Sequence, residues 1–215
     1  MKFDTVIFDL DGTLVDSLGD LVQSVNIVLR SRDYPLRTVE EVKRFIGDGY
    51  RLLMKRSLPA GTEDEEIDRC TRLFEENYFK DMIGNTKPYD GIIEILKELK
   101  KREIKIGVVS NKKDDATKEI CRYFFAPYID IAVGDNPKRN KKPAPDNVYE
   151  VMSKLKSSKD KTIYVGDSDI DVKTAKNAGL YCVAVSWGYR PKEVLIKENP
   201  DLIIDKPSEI LSLLL

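Results

Sequence analysis

Val6-Ile7-Phe8-Asp9-Leu10-Asp11-Gly12-Thr13-Leu14-Val15-Asp16-Ser17 is the stretch on which the reading of this chain turns. It opens with three large apolar residues, two of them β-branched, as expected of a strand buried on both faces of a parallel sheet. It then changes at once to two carboxylates, a glycine and a hydroxyl. In open α/β sheets, ligands bind outside the carboxyl ends of the strands, so acids set directly after a buried strand stand where chemistry is done. Taken alone, Asp-Gly between hydrophobic residues is also a common hairpin turn. The rest of the chain has to decide.

Runs of the same kind recur at Ile104–Val109, Ile129–Val133, Ile163–Val165, Val183–Val185 and Leu202–Ile204. Helical patterns lie between them: Ile92, Ile95, Leu96 and Leu99 repeat at i, i+3, i+4 and i+7, and Val148, Val151, Met152 and Leu155 do the same. This alternation predicts a doubly wound, parallel-sheet α/β domain of Rossmann-like type with right-handed crossovers. From about Asp16 to Ile83 only helical patterns appear. Leu18, Leu21, Val22, Val25, Val28 and Leu29 make one apolar face, and Thr62 with Glu65 reads as a capping box opening a further helix. The expected organisation is an α/β core over 1–15 and 84–215, with a small all-helical domain over 16–83 inserted after the first strand. Hinges are expected near Leu14–Asp16 and Gly84–Tyr89, and Leu211–Leu215 reads as a packed last helix.

Composition narrows the chemistry. The 215 residues carry 36 Lys+Arg against 37 Asp+Glu, and this balance argues against nucleic-acid binding, which needs a clear basic excess. Histidine is absent, which excludes Ser-His-Asp and Cys-His catalysis and any His-ligated zinc or haem. Cys70, Cys121 and Cys182 are widely spaced with no C-x-x-C pair, so they read as small buried hydrophobes in a reducing compartment. No apolar run approaches the ~18 residues of a membrane helix. A soluble, cytoplasmic protein without membrane or nucleic-acid partners is expected, and monomer and homodimer both stay open.

The other strand ends supply the rest of a constellation. Ser110-Asn111 follows the second strand, the basic loop Lys138-Arg139-Asn140-Lys141-Lys142-Pro143 follows the third, and Gly166-Asp167-Ser168-Asp169-Ile170-Asp171 follows the fourth. Each piece has a plainer reading: helix caps for Ser110-Asn111 and for Asp167-Ser168, a solvated charge run for the lysines. Independent turn preferences do not, however, predict acids at two strand ends together with a hydroxyl and a lysine. Several carboxylates without histidine or thiolate suit a hard, oxygen-loving cation, and Mg²⁺ typically uses one or two carboxylates plus phosphate oxygens. A serine and a lysine suit the equatorial oxygens of a phosphoryl group. An aspartate beside the metal can itself be the nucleophile, and a second aspartate two residues on could move the proton. Phosphoryl transfer follows from the residue types; the division of roles does not.

The stretch from Asp9 to Ser17 resembles the first motif of the haloacid dehalogenase-like hydrolase superfamily. Ser110, Lys142-Pro143, and Gly166-Asp167-Ser168 with Asp171 resemble its second, third and fourth motifs in order, and the helical insert resembles its type-1 cap. Within the superfamily the chain looks most like the phosphoglycolate phosphatase-type enzymes, through Asn140 to Asp146, Gly166 to Gly179, Trp187-Gly188-Tyr189 and Phe45-Ile46-Gly47-Asp48-Gly49. The resemblance implies a Mg²⁺-dependent phosphatase acting on a small phosphorylated metabolite through an aspartyl-phosphate. Asp9 would be nucleophile and metal ligand, Asp11 the general acid/base with its carbonyl on the metal, and Asp167 a further metal ligand. Ser110, Asn111 and Lys142 would bind the phosphoryl group, with Lys141 as the alternative if the register slips by one. Gly12 and Thr13 would shape the loop, and Asp171 and Ser168 would support the site from behind.

Departures within the superfamily are informative too. Dehalogenases lack an aspartate at the Asp11 position, and the similar β-phosphoglucomutase uses a cap histidine that this chain does not have. Gly47, Asp48 and Gly49 would select substrate from the cap, whereas Arg51 and Lys55 read as solvated helix surface. Inorganic pyrophosphatase and generalist sugar or nucleotide phosphatase are the alternatives. A phosphorylatable signalling domain would use similar groups, but it would need neither Asp11 nor a cap, and a non-catalytic interaction protein is disfavoured because no core motif residue is missing. No G-x-G-x-x-G follows the first strand, which disfavours a dinucleotide enzyme.

Overall fold

The computed structural model describes residues 3–214 and divides into two compact units, one of 1–15 with 88–215 and one of 16–87. The chain begins with β1 (Thr5–Phe8) and the short β2 (Val15–Asp16). Four helices follow: α1 (Leu18–Ser31), α2 (Val39–Phe45), α3 (Tyr50–Ser57) and α4 (Asp64–Lys80). Then come β3 (Lys87–Pro88), α5 (Ile92–Lys101), β4 (Lys105–Lys113), α6 (Asp114–Phe125), β5 (Ile131–Asp135) and α7 (Asp146–Leu155). The chain closes with β6 (Thr162–Gly166), α8 (Asp169–Ala178), β7 (Tyr181–Val185), α9 (Lys192–Lys197) and β8 (Leu202–Ile204).

In the first unit six strands form one sheet in the order β5-β4-β1-β6-β7-β8, with every neighbouring pair parallel. The chain winds outward from β1 in both directions, so β1 is the topological switch point where such sheets open a crevice. The register decides what lines it. Phe8 pairs with Val108 on one side and Val165 on the other, which brings Asp9, Ser110 and Asp167 to one end of the sheet within two residues of a common level. The strands are held by burial: Ile7, Val109, Tyr164, Cys182 and Ala184 pack with Val148, Val151 and Met152 of α7 and Val172 and Ala175 of α8. Each large side chain removed from water contributes about 1.5–3 kcal/mol.

The second unit holds α1 to α4. Tyr50, Phe74 and Tyr78 form an aromatic cluster with ring centroids 5.0 to 5.8 Å apart. Asp20 of α1 is buried and accepts from the Asn85 and Thr86 backbone N–H groups, the Asn85 amide and the Thr86 hydroxyl, at 2.7 to 3.1 Å. One carboxylate thus ties the start of the unit to its exit. Val15–Asp16 and Lys87–Pro88 pair as a separate two-stranded ribbon where the chain passes between the units. No helix among the described residues is long and apolar enough to cross a membrane.

Several expectations need correction. The second strand of the sheet runs on through Lys113 rather than ending at Val109, with a register shift between Val109 and Lys113. Ser110 and Asn111 therefore lie on β4 and cap nothing; α6 starts at Asp114, whose carboxylate accepts from Gly134 N–H of the neighbouring strand. Thr62 does not cap α4, because its hydroxyl donates to Pro59 O within the preceding turn and Glu63 takes the cap position. The capping box is Thr38 with Glu41, opening α2, and the same T-x-x-E spacing announces it. The last segment, Pro207–Leu213, is a 3₁₀ helix, and Leu215 lies outside the described residues.

Candidate active site

β1 delivers Asp9 to the sheet end with its N–H bound to Val165 O at 2.8 Å. The chain then folds back immediately. Gly12 N–H donates to Val15 O at 2.9 Å, and Gly12 takes φ +90°. A side chain there would lie 2.4 Å from Asp167 Oδ2, so the loop can follow this path past Asp167 only with glycine. Asp11 and Asp9 are thereby turned to different partners.

Lys142 occupies the centre. Its Nζ donates to Asp9 Oδ1 at 2.6 Å, Asp171 Oδ1 at 2.7 Å and the Tyr164 hydroxyl at 3.1 Å. All three donors of the ammonium are used, inside a site where Lys142 is 4% and Asp171 1% exposed. The Lys141 alternative falls away, since Lys142 makes these contacts. Asn111 reaches the same loop from β4, donating its amide to Lys142 O at 3.1 Å. Ser110 is buried beside it, its Oγ accepting Lys112 N–H at 3.1 Å, which leaves the hydroxyl proton free to point elsewhere.

Asp167 is held by both oxygens. Thr13 Oγ1 donates to Oδ1 at 3.2 Å and Tyr189 N–H to Oδ2 at 2.7 Å. Tyr189 belongs to the turn Trp187-Gly188-Tyr189 after β7, whose Trp187 indole also donates to Thr13 O at 3.1 Å. Asp171 closes the network from α8. Its Oδ2 accepts the Ser168 N–H and hydroxyl at 3.0 and 2.6 Å while Ser168 caps the helix. Ser168 thus orients Asp171, and Asp171 orients Lys142.

The electrostatics follow from crowding. Burial, then the nearby Asp171, push the Asp9 carboxyl well above the usual carboxylate range, and the same two causes push Asp167 up to about 7. Burial pulls the Lys142 ammonium down, but Asp171 and Asp9 together outweigh it and hold the group above its ordinary value. Two buried carboxylates, Asp9 and Asp171, share this lysine, and Asp167 lies beside them. Asp9, Asp167 and Asp171 each offer an oxygen within 4.8 Å of the others, and this oxygen-only set fits a hard divalent cation. Asp171 accepts from Lys142, the Tyr164 hydroxyl and both Ser168 donors, whereas Asp167 accepts two donors and Asp9 one, so Asp9 and Asp167 keep more oxygen lone pairs for a cation.

Gly47, Asp48 and Gly49 link α2 to α3 in the helical unit, with φ of +124° at Gly47 and +88° at Gly49. Asp48 is paired with Arg56 at 2.6 Å, and Arg51 with Asp64 and Asp68 at 2.9 and 2.6 Å. The three cysteines are free thiols, all buried. Two residues of the site were not singled out from sequence. Tyr164 sits inside an apolar strand and reads as core, although a phenol two residues before Gly166-Asp167 is a signal. Lys112 follows Ser110-Asn111 directly and passes as loop once the strand is ended at Val109.

An α/β crevice at the switch point, with paired aspartates after β1 and a lysine gripped by two carboxylates, is suited to holding a phosphoryl group and a hard cation. The haloacid dehalogenase-like hydrolase family model matches residues 6–185, and the chain belongs to that family. It is 33% identical to phosphoglycolate phosphatase 1 of Pseudomonas aeruginosa, over 96% of this chain and 78% of that one. It is 31% identical to the phosphoglycolate phosphatase of Aquifex aeolicus, over 97% and 95%. Among solved structures, a Lactobacillus delbrueckii subsp. bulgaricus protein provisionally named phosphoglycolate phosphatase superposes with a TM-score of 0.92 at 30% identity, covering 98% of this chain and 97% of that one.

Proposed function

We propose that this chain is a Mg²⁺-dependent phosphatase that hydrolyses a small, phosphoglycolate-like phosphomonoester through an aspartyl-phosphate on Asp9. The observation that carries the reading is the Lys142 ammonium between Asp9 and Asp171, 2.6 and 2.7 Å from each, with Asp167 beside them. Lys142 grips Asp9 Oδ1 and leaves Oδ2 as the nucleophile. That oxygen attacks phosphorus as the ester P–O bond breaks, and Asp11 gives its proton to the departing alkoxide. Asp11 then takes a proton from the water that attacks the aspartyl-phosphate, releasing inorganic phosphate and restoring Asp9. Ser110 and the Asn111 region face the phosphoryl oxygens, where charge is stabilised by fixed donors. Asp9, Asp167 and the Asp11 carbonyl would hold the cation, which when bound neutralises phosphate charge.

The helical unit, residues 16–83 in the sequence reading, is assigned the part of a cap, with Gly47-Asp48-Gly49 as the loop that selects substrate. The Asp48–Arg56 pair and the two glycines around it give that loop a defined shape. Phosphate release with Mg²⁺ tests the reading. The panel comprises 2-phosphoglycolate, pyrophosphate, p-nitrophenyl phosphate, hexose phosphates and nucleoside monophosphates, for wild type and Asp9→Asn. A preference of ~10²-fold in kcat/KM for the short carboxylated ester, abolished by Asp9→Asn, is expected. Preference for pyrophosphate, or a flat profile, would replace the substrate assignment.

A further inference from the structure

The Lys112 side chain is 1% accessible, and its Nζ lies 2.9 Å from Asp11 Oδ1. The Asp11 side chain is 13% exposed, so water can reach it; it does not need a lysine to be solvated. The lysine, by contrast, is desolvated in full, and burying an ammonium is costly unless a carboxylate faces it. A sequence selected for stability alone would place an apolar residue at this strand position.

The placement gives direction rather than solvation. Lys112 is fixed on both sides of its own backbone: its N–H donates to Ser110 Oγ at 3.1 Å and its carbonyl accepts from Thr117 Oγ1 at 3.2 Å. Gly134 on β5 makes room, since a side chain there would stand 2.6 Å from Lys112 O. Asp11, on the loop after β1, thus meets an ammonium anchored in a strand. Two lysines divide the Asp9-Leu10-Asp11 pair between them, Lys142 holding Asp9 and Lys112 holding Asp11. We infer that Lys112 is a positioning residue that holds the Asp11 carboxylate on the line of proton transfer. This inference rests on the reading of Asp11 as proton donor and acceptor.

The test compares Lys112→Met, Lys112→Gln, Asp11→Asn and the Lys112→Met/Asp11→Asn double variant. Substrates are the best alkyl phosphate of the panel and p-nitrophenyl phosphate, whose leaving group departs without a proton. Lys112→Met is expected to lower kcat on the alkyl ester by ~10- to 10²-fold, the scale of a misplaced catalytic group, with KM changed little. On p-nitrophenyl phosphate kcat/KM should fall far less, and in the Asp11→Asn background the added Lys112→Met should change nothing further. Thermal melting confirms folding, and Lys112→Gln serves where Lys112→Met does not fold. Near-normal kcat in both single Lys112 variants, an equal loss of kcat/KM on both substrates, or additive losses in the double variant would overturn the inference. Near-normal hydrolysis of the alkyl ester by Asp11→Asn would instead overturn the role of Asp11, and with it the inference.

Discussion

Tyr164 shows how little slack the Lys142 network has. Its hydroxyl accepts one ammonium N–H and donates to Asp171 Oδ1, both at 3.1 Å. Burial first, and the flanking carboxylates after it, hold the phenol well above its ordinary value, so it stays a donor over the working pH range. Tyr164→Phe removes one acceptor and strands one buried N–H, which costs about 1–3 kcal/mol. A lower urea midpoint with an unchanged m-value is expected, and an unchanged midpoint would show that the hydroxyl is dispensable. Asp9→Asn differs in kind, since it keeps shape and removes the proposed nucleophile.

The turn after β7 extends the same logic to a segment. A side chain at Gly188 would lie 2.2 Å from Asp167 Cβ and 2.4 Å from Gly12 O, contacts that real side chains do not make. Gly188→Ala must push the turn away from Asp167, breaking the Tyr189 N–H bond and loosening the Trp187 grip on the Thr13 carbonyl. We expect the apparent Mg²⁺ requirement to rise ~10-fold or more, the lower end of the loss seen when groups orienting metal ligands are altered. Mg²⁺ titration of phosphate release checks this, and wild-type behaviour would contradict it. This turn also marks how far sequence could be read. The strands announced themselves because parallel strands buried on both faces are continuous apolar runs, and Asp9, Asp167 and Lys142 because they follow such runs. Lys112 stayed hidden because polar residues on β4 mimic a loop. Thr62 misled because a nearby turn claims its hydroxyl, a competition that spacing alone does not resolve.

Charge balance in the α/β unit links the site to the stability of the fold. The native state holds a proton on Asp167 up to about pH 7, and on Asp9 above the usual carboxylate range. The unfolded chain releases both near pH ~4. Between those limits the native state binds more protons, so stability falls as pH rises. A cation that binds only the folded, deprotonated cluster reverses the trend. Melting in the presence of chelator should therefore fall between pH 5 and pH 8, and Mg²⁺ should raise the melting temperature more at pH 8 than at pH 5. Equal melting at both pH values without metal would contradict the assignment of the cluster. The most direct test of the covalent route is an acid-quenched single turnover with the best substrate, followed by peptide mass analysis. A phosphoryl group on the peptide containing Asp9, released by hydroxylamine and absent in Asp9→Asn, is the predicted result. Phosphate release by Asp9→Asn at a rate near wild type, with no phosphorylated peptide in either protein, would contradict it.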